Sequence, residues 1–181
     1  MRELNPDNVI ILDETGSNLA FSRSHARSLQ GKRPIGDRPC QRGQNVTVLA
    51  EIGTAGVAAH TTFDGALNGP RFIEWRKHSL CPTLKPGNVV AMDNRQVYKV
   101  ADVKEAIEAT GATLLYLPAY SPDYSPEELM WAWMKNWFRA LEVRDCAILP
   151  LVVAPVLRAL PVELFANWLR HCGWNVPAQV T

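Results

Sequence analysis

The chain lacks any C-x-x-C pair. Its four cysteines, Cys40, Cys81, Cys146 and Cys172, are widely scattered, which excludes the usual zinc-site spacing and a disulfide framework and suits a reducing cytoplasm. No apolar signal core follows Met1-Arg2-Glu3-Leu4-Asn5-Pro6. The longest apolar run, Cys146 to Leu157, is too short and too rich in proline to span a bilayer, so no membrane is expected. His25, His60, His78 and His171 show no ligand spacing and read as surface or packing residues. Neither internal repeats nor low-complexity tracts are present. What remains is ordinary globular composition: 181 residues, 47% hydrophobic and 20% charged, predict a single domain over 1–181, with its core at about 8–142 and a helical segment at 143–181.

Formal net charge is only +1, so bulk charge does not announce a polyanionic partner. Locally the balance differs. Arg23, Arg27, Lys32, Arg33, Arg38 and Arg42 face Asp37 alone between residues 23 and 42, a stretch able to track a phosphate backbone or simply to form a solvated loop.

Two short apolar runs each deliver an acid. Val9 to Leu12 is followed by Asp13, and Val89 to Met92 by Asp93 and Asn94. Runs of that length suit strands buried on both faces, and the carboxyl end of such a strand is where open α/β sheets place their chemistry. Asp93 is therefore a metal-binding or catalytic candidate, with helix capping as the alternative. Asn45 to Ile52 and Gly56 to Phe63 read as an antiparallel hairpin around Gly53-Thr54-Ala55-Gly56. Asn68-Gly69-Pro70 opens a helix that stops before Pro82. Val97 to Thr110 reads as an amphipathic helix ended by Gly111, and Thr113 to Leu117 as a further buried strand. The order predicts an α/β fold: a mixed sheet, antiparallel hairpin plus parallel strands joined by right-handed crossovers, in a three-layer sandwich.

In the helix after Ser125 and Pro126, Glu127 and Glu128 occupy the first turn. Leu129, Trp133, Trp137 and Leu141 form one row, expected to pack into the core. Glu128, Ala132, Lys135 and Arg139 form another, leaving Glu127 to a helix-dipole role. The six tryptophans are expected to be mostly core, with Trp131 one turn from Glu128. Beyond Arg144, Pro150, Pro155 and Pro161 predict a broken helix, and Val162 to His171 a final short one closed by Gly173. Two strand-borne aspartates and a helical glutamate meeting at one sheet edge would repel unless a cation joined them. Hard oxygen ligands select Mg²⁺ or Mn²⁺, and two such ions about 3.5–4 Å apart serve in-line phosphoryl transfer.

Leu12-Asp13-Glu14-Thr15-Gly16, Gly43 to Thr47, Met92-Asp93-Asn94, and Leu117-Pro118-Ala119-Tyr120-Ser121-Pro122-Asp123 running on to Pro126, Glu128 and Trp131 resemble the catalytic domain of mariner-superfamily transposases, in particular the bacterial insertion-sequence branch. The resemblance covers nearly the whole chain and implies a ribonuclease-H-like fold with an Asp-Asp-Glu triad. The last block, Pro, any residue, Glu, two residues, Trp, selects Glu128 over Glu127. The 34 residues between Asp93 and Glu128 match the superfamily's interval. Tyr98 stands where relatives often have histidine, and Ser125 where asparagine is common.

The resemblance implies a DNA endonuclease and strand transferase that cuts transposon ends and joins them to target DNA. Asp13, Asp93 and Glu128 would be both catalytic and metal-binding, with two Mg²⁺ or Mn²⁺ ions. Arg23, Arg27, Lys32, Arg33, Arg38, Arg42, Lys135 and Arg139 are DNA-contacting candidates. The implied partners are double-stranded DNA, a second copy on that DNA and a separately encoded helix-turn-helix half, in a bacterial cytoplasm at the nucleoid. A catalytically inactive DNA-binding or assembly domain of the same fold is the alternative.

Overall fold

A computed structural model of the chain describes residues 4–174 apart from Ala101 and Tyr120. Tyr120 of the proline-rich motif, Met1 to Glu3, and residues 175–181 of the expected C-terminal segment lie outside the described residues.

Five strands form one sheet in the order β3-β2-β1-β4-β5: Val9–Ser17 (β1), Val46–Gly53 (β2), Gly56–Asp64 (β3), Val89–Met92 (β4) and Thr113–Tyr116 (β5). β1 pairs antiparallel with β2, and β2 with β3; β4 runs parallel to both β1 and β5. The expected mixed sheet is present. The β2–β3 turn closes on the pair Gly53 and Gly56, where Gly56 takes a φ of 112° that a side chain would strain.

Side-chain alternation divides the core in two. Val9 and Ile11, with Val46, Val48, Ala50, Ile52 and Ala91, pack under helices Glu127–Leu141 (α3), Leu149–Arg158 (α4) and Val162–His171 (α5). Leu12, Leu49, Val90 and Met92 pack on the other face, under Gly69–Trp75 (α1), its π-helical continuation Arg76–Leu80, and Val103–Glu108 (α2). In chain order these helices are α1 to α5, and the sandwich has three layers. Asn68 caps α1 by accepting from the Arg71 amide at 3.0 Å, as the sequence predicts.

Four expectations need correction. The helix foreseen over Val97 to Thr110 is only α2, with a 3-10 turn at Gln96–Tyr98 before it. Asp102, at φ 65°, breaks the run, and its carbonyl is held by Arg76 Nη1 at 2.6 Å. β5 is an edge strand with Thr113 and Leu115 exposed, since nothing pairs beyond it among the described residues. On α3 the buried residues are Glu127, Met130, Trp131, Met134 and Phe138, whereas Trp137 and Leu141 are 44% and 49% exposed. Trp75, Trp131 and Trp174 are buried, and the other three tryptophans are not. The row of leucine and tryptophan satisfied helical spacing, but docking on β1 chose a face rotated from it.

The proline-broken region is two helices, α4 with Pro155 inside it and α5, bent by 86°. α5 has the bounds the sequence predicts. Among the described residues no single helix is long and apolar enough to cross a membrane, and the bent α4–α5 pair buries Val153, Leu157, Phe165 and Leu169 against the sheet.

Candidate active site

Strand alternation decides where the acids of Leu12-Asp13-Glu14 point. Asp13 follows Val9 and Ile11 onto the α3 face, and Glu14 follows Leu12 onto the α2 face. Parallel pairing of β1 with β4 ends at Leu12 and Met92, so Asp13 and Asp93 are the next residues on adjacent strands. β1 itself does not stop at Asp13, as its sequence suggested. It runs on to Ser17 because β2 keeps pairing with it, from Asp13 with Ala50 to Ser17 with Val46. The opening at Asp13 arises because β4 ends.

The loop after β5 and the first turn of α3 bring Glu128 to the same place. Leu12, Asp13, Asp93, Leu117, Pro118 and Glu128 are among the residues lining one cleft of about 390 Å³. Trp131, wholly buried one turn along α3, donates its indole N–H to Asp13 Oδ2 at 3.0 Å. Asp93 Oδ1 accepts from the Asn94 amide at 2.6 Å. Burial pushes the Asp13 carboxyl up to about 6 against the Trp131 hydrogen bond, and the like charges of Glu128 and Asp93 push in the same direction.

That mutual repulsion and the all-oxygen donor set fit a hard divalent cation. Among the described residues no three histidine, cysteine, aspartate or glutamate side chains close into a ready metal cage, so the carboxylates line the cleft without converging on one point.

Glu127 lies in the first turn of α3, as expected, yet its side chain is wholly buried and outside the cleft. Ser125 Oγ donates to its Oε2 at 3.2 Å, and its Oε1 has no hydrogen-bond partner. Burial first, and Asp13 next, push it well above the ordinary carboxylate range. Ser125 is extended and precedes a helical Pro126, the backbone of a helix start, but its hydroxyl bonds this carboxyl rather than an amide.

Two residues of this region, Glu14 and Arg95, were not offered as functional candidates by the sequence. Glu14 accepts from the Tyr98 hydroxyl through Oε2 and pairs with Arg95 Nη1 through Oε1. Burial, then the charge of Asp13, pushes the Glu14 carboxyl above the ordinary carboxylate range. Arg95 lines the carboxylate cleft. Its signal was position, two residues beyond Asp93; that of Glu14 was the strand alternation opposite Asp13.

The basic candidates do not gather at the cleft. Arg23, Arg27, Lys32, Arg33, Arg38 and Arg42 are exposed on the long connection between β1 and β2. The base of that connection is tied to α3 and the turn after it. Arg23 Nη2 reaches the Ala140 carbonyl at 3.4 Å, and Arg144 Nη1 the Phe21 carbonyl at 2.7 Å. Lys135 and Arg139 are half-buried, with the Arg139 guanidinium 5.6 Å from the centre of the Phe21 ring. None of the eight lines the cleft.

A mixed five-stranded sheet between helical layers is the ribonuclease-H-like fold of transposase catalytic domains, and the comparisons agree. The chain belongs to the DDE superfamily endonuclease family, whose model matches residues 8–147. In fold it is similar to three solved structures of Mos1 transposase. A pre-cleavage Mos1 transpososome aligns at TM-score 0.71 and 15% identity, over 92% of this chain and 52% of that one. A Mos1 mariner paired end complex with Mn aligns at 0.68 and 15%, over 91% and 51%. The catalytic domain of Mos1 mariner transposase aligns at 0.62 and 13%, over 92% and 76%. The chain thus spans about half the length of the longer Mos1 chains. No curated protein sequence matches it.

Proposed function

We propose that the protein is the catalytic part of a transposase of the bacterial insertion-sequence branch, a Mg²⁺- or Mn²⁺-dependent endonuclease and strand transferase acting on transposon ends and target DNA, with Asp13, Asp93 and Glu128 as its catalytic and metal-binding triad. The observation that carries this reading is the meeting of those three carboxylates, from β1, β4 and α3, in one open cleft. Family membership and the Mos1 fold support it, as do Mos1 structures described with Mn and with Mg.

Each residue has a distinct task. The Trp131 indole fixes Asp13 through one carboxylate oxygen. Asp93 directly follows the buried strand β4. Glu128 rides on the first turn of α3, whose buried side anchors it against β1. When bound, two divalent cations supply the positive charge that lets a phosphodiester enter among carboxylates, and they lower the barrier to in-line displacement. The eight basic residues of the β1–β2 connection and α3 would add salt-dependent, sequence-blind affinity for duplex DNA. Residues 1–181 act as one domain in this reading, in a pair on DNA, together with a helix-turn-helix half encoded separately, at the nucleoid of a bacterial cytoplasm.

The test is nicking of supercoiled plasmid carrying the neighbouring inverted repeats, with Mn²⁺ or Mg²⁺, by the native protein and by Asp93→Asn purified identically. Nicking that needs the metal and is lost in Asp93→Asn is expected. Equal behaviour of the two proteins would sink the catalytic reading and favour an inactive DNA-binding or assembly domain.

A further inference from the structure

Asp13, Asp93 and Glu128 make the cleft a poor place for a phosphate, and among its described lining residues only Arg95 carries positive charge. Arg95 is also braced. Its Nη1 pairs with Glu14 Oε1, and the other Glu14 oxygen accepts from the Tyr98 hydroxyl. Tyr98 is wholly buried, edge-on to Phe72 with ring centroids 4.9 Å apart, and its carbonyl accepts from the Tyr116 hydroxyl at 3.0 Å. The support runs from the guanidinium to the core without a break.

The Arg95 side chain nevertheless stays 59% exposed. A guanidinium has five N–H donors in a planar fork, and the ion pair engages it at Nη1, so donors remain for a second anion. Arg95 also lines a second depression of about 200 Å³, together with Glu14, Gly16 and Asn45. The Asn45 amide lies over Gly16, where an added Cβ would meet its Oδ1 at 3.1 Å. Arg95 therefore stands on the ridge between the cleft and a polar recess.

We propose that Arg95, oriented by Glu14 and Tyr98, binds a DNA phosphate at the mouth of the carboxylate cleft, and that the recess beyond it seats the adjoining nucleotide. This rests on the DNA-cleaving reading above and adds to it a substrate-binding arginine with two positioning residues. The competing account is that Arg95 does no more than neutralise the buried Glu14 carboxylate.

Equilibrium binding of a short fluorescein-labelled DNA duplex, in EDTA and over a series of salt concentrations, separates the two. Arg95→Ala is expected to weaken binding about tenfold and to make the plot of log affinity against log salt shallower by about one. Arg95→Lys keeps the slope and loses part of the affinity. Glu14→Gln and Tyr98→Phe keep the slope too, with an intermediate loss of affinity, because the guanidinium is present but unbraced. The double variant Glu14→Gln/Arg95→Ala has no buried charge left unpaired, so it tests the contact even if Arg95→Ala folds poorly. It should remain as weak as the single variant. Wild-type affinity and slope in the double variant, or in Arg95→Ala, would overturn the proposal. Plasmid nicking by the wild-type protein is scored separately: its absence counts against the cleavage reading, while the binding series still decides the role of Arg95.

Discussion

Two pairs of neighbouring acids, Asp13 with Glu14 and Glu128 with Glu127, are split by the fold in the same way. One member of each pair reaches the cleft, and the other is turned away from it. On β1 the split comes from the two-residue alternation of a strand, and on α3 from the rotation of about 100° per helical residue. Composition alone cannot tell the members apart; on α3 what differs is burial, for Glu127 is wholly buried and Glu128 is exposed. An acid-rich motif therefore contains both the working groups and the groups that fix their surroundings.

The sharpest way to break this comparison is to neutralise each member of the α3 pair in turn. Glu128→Gln is expected to lower metal-dependent plasmid nicking at least about a thousandfold, some 4 kcal/mol in barrier. Glu127→Gln preserves shape in a site with no access to the cleft and should stay within about tenfold of wild type. Comparable losses in the two variants would mean that the cleft is not where the chemistry occurs.

The same helix gives a second contrast, in stability. Trp131 is wholly buried and bonded to Asp13, while Trp137 is 44% exposed. Trp131→Ala should cost about 3–5 kcal/mol in urea unfolding, and Trp137→Ala about 1 kcal/mol or less. Equal costs would contradict the orientation of α3 described above.

Much of this was legible in the sequence wherever a local rule and the tertiary structure agreed. The hairpin, β4, the start of α1 and the bounds of α5 follow from turn glycines, apolar runs and the Asn68 cap. Asp13, Asp93 and Glu128 are candidates on sequence grounds, and all three line one cleft. What was not legible depended on partners distant in the chain. The continuation of β1 past Asp13 requires β2, the buried face of α3 is chosen by β1, and the breaking of the helix before α2 requires Asp102 and its hold on Arg76. The pairing of Glu14 with Arg95 and Tyr98 joins residues more than 80 positions apart and has no local signature.

A fourth buried acid tests whether burial alone, without a neighbouring carboxylate, is enough to perturb a side chain in this fold. Glu51 projects from β2 to the sheet face opposite Asp13, wholly buried, with Thr83 Oγ1 donating to Oε1 at 2.8 Å and Oε2 unpartnered. Burial raises its carboxyl from 4.5 to about 7, against the Thr83 hydrogen bond. The folded state thus holds this proton more tightly than the unfolded state, so stability is fully present below about pH 4.5 and is lost as pH rises toward 7. The shift corresponds to about 3 kcal/mol. Glu51→Gln removes the titration while keeping an oxygen for Thr83. Its stability relative to wild type should therefore increase by about 3 kcal/mol between pH 4 and pH 8 in urea unfolding. A difference that does not change with pH would show that Glu51 is not held neutral by its surroundings. The contrast with Asp13, where like charges add to burial, would then rest on the cleft alone.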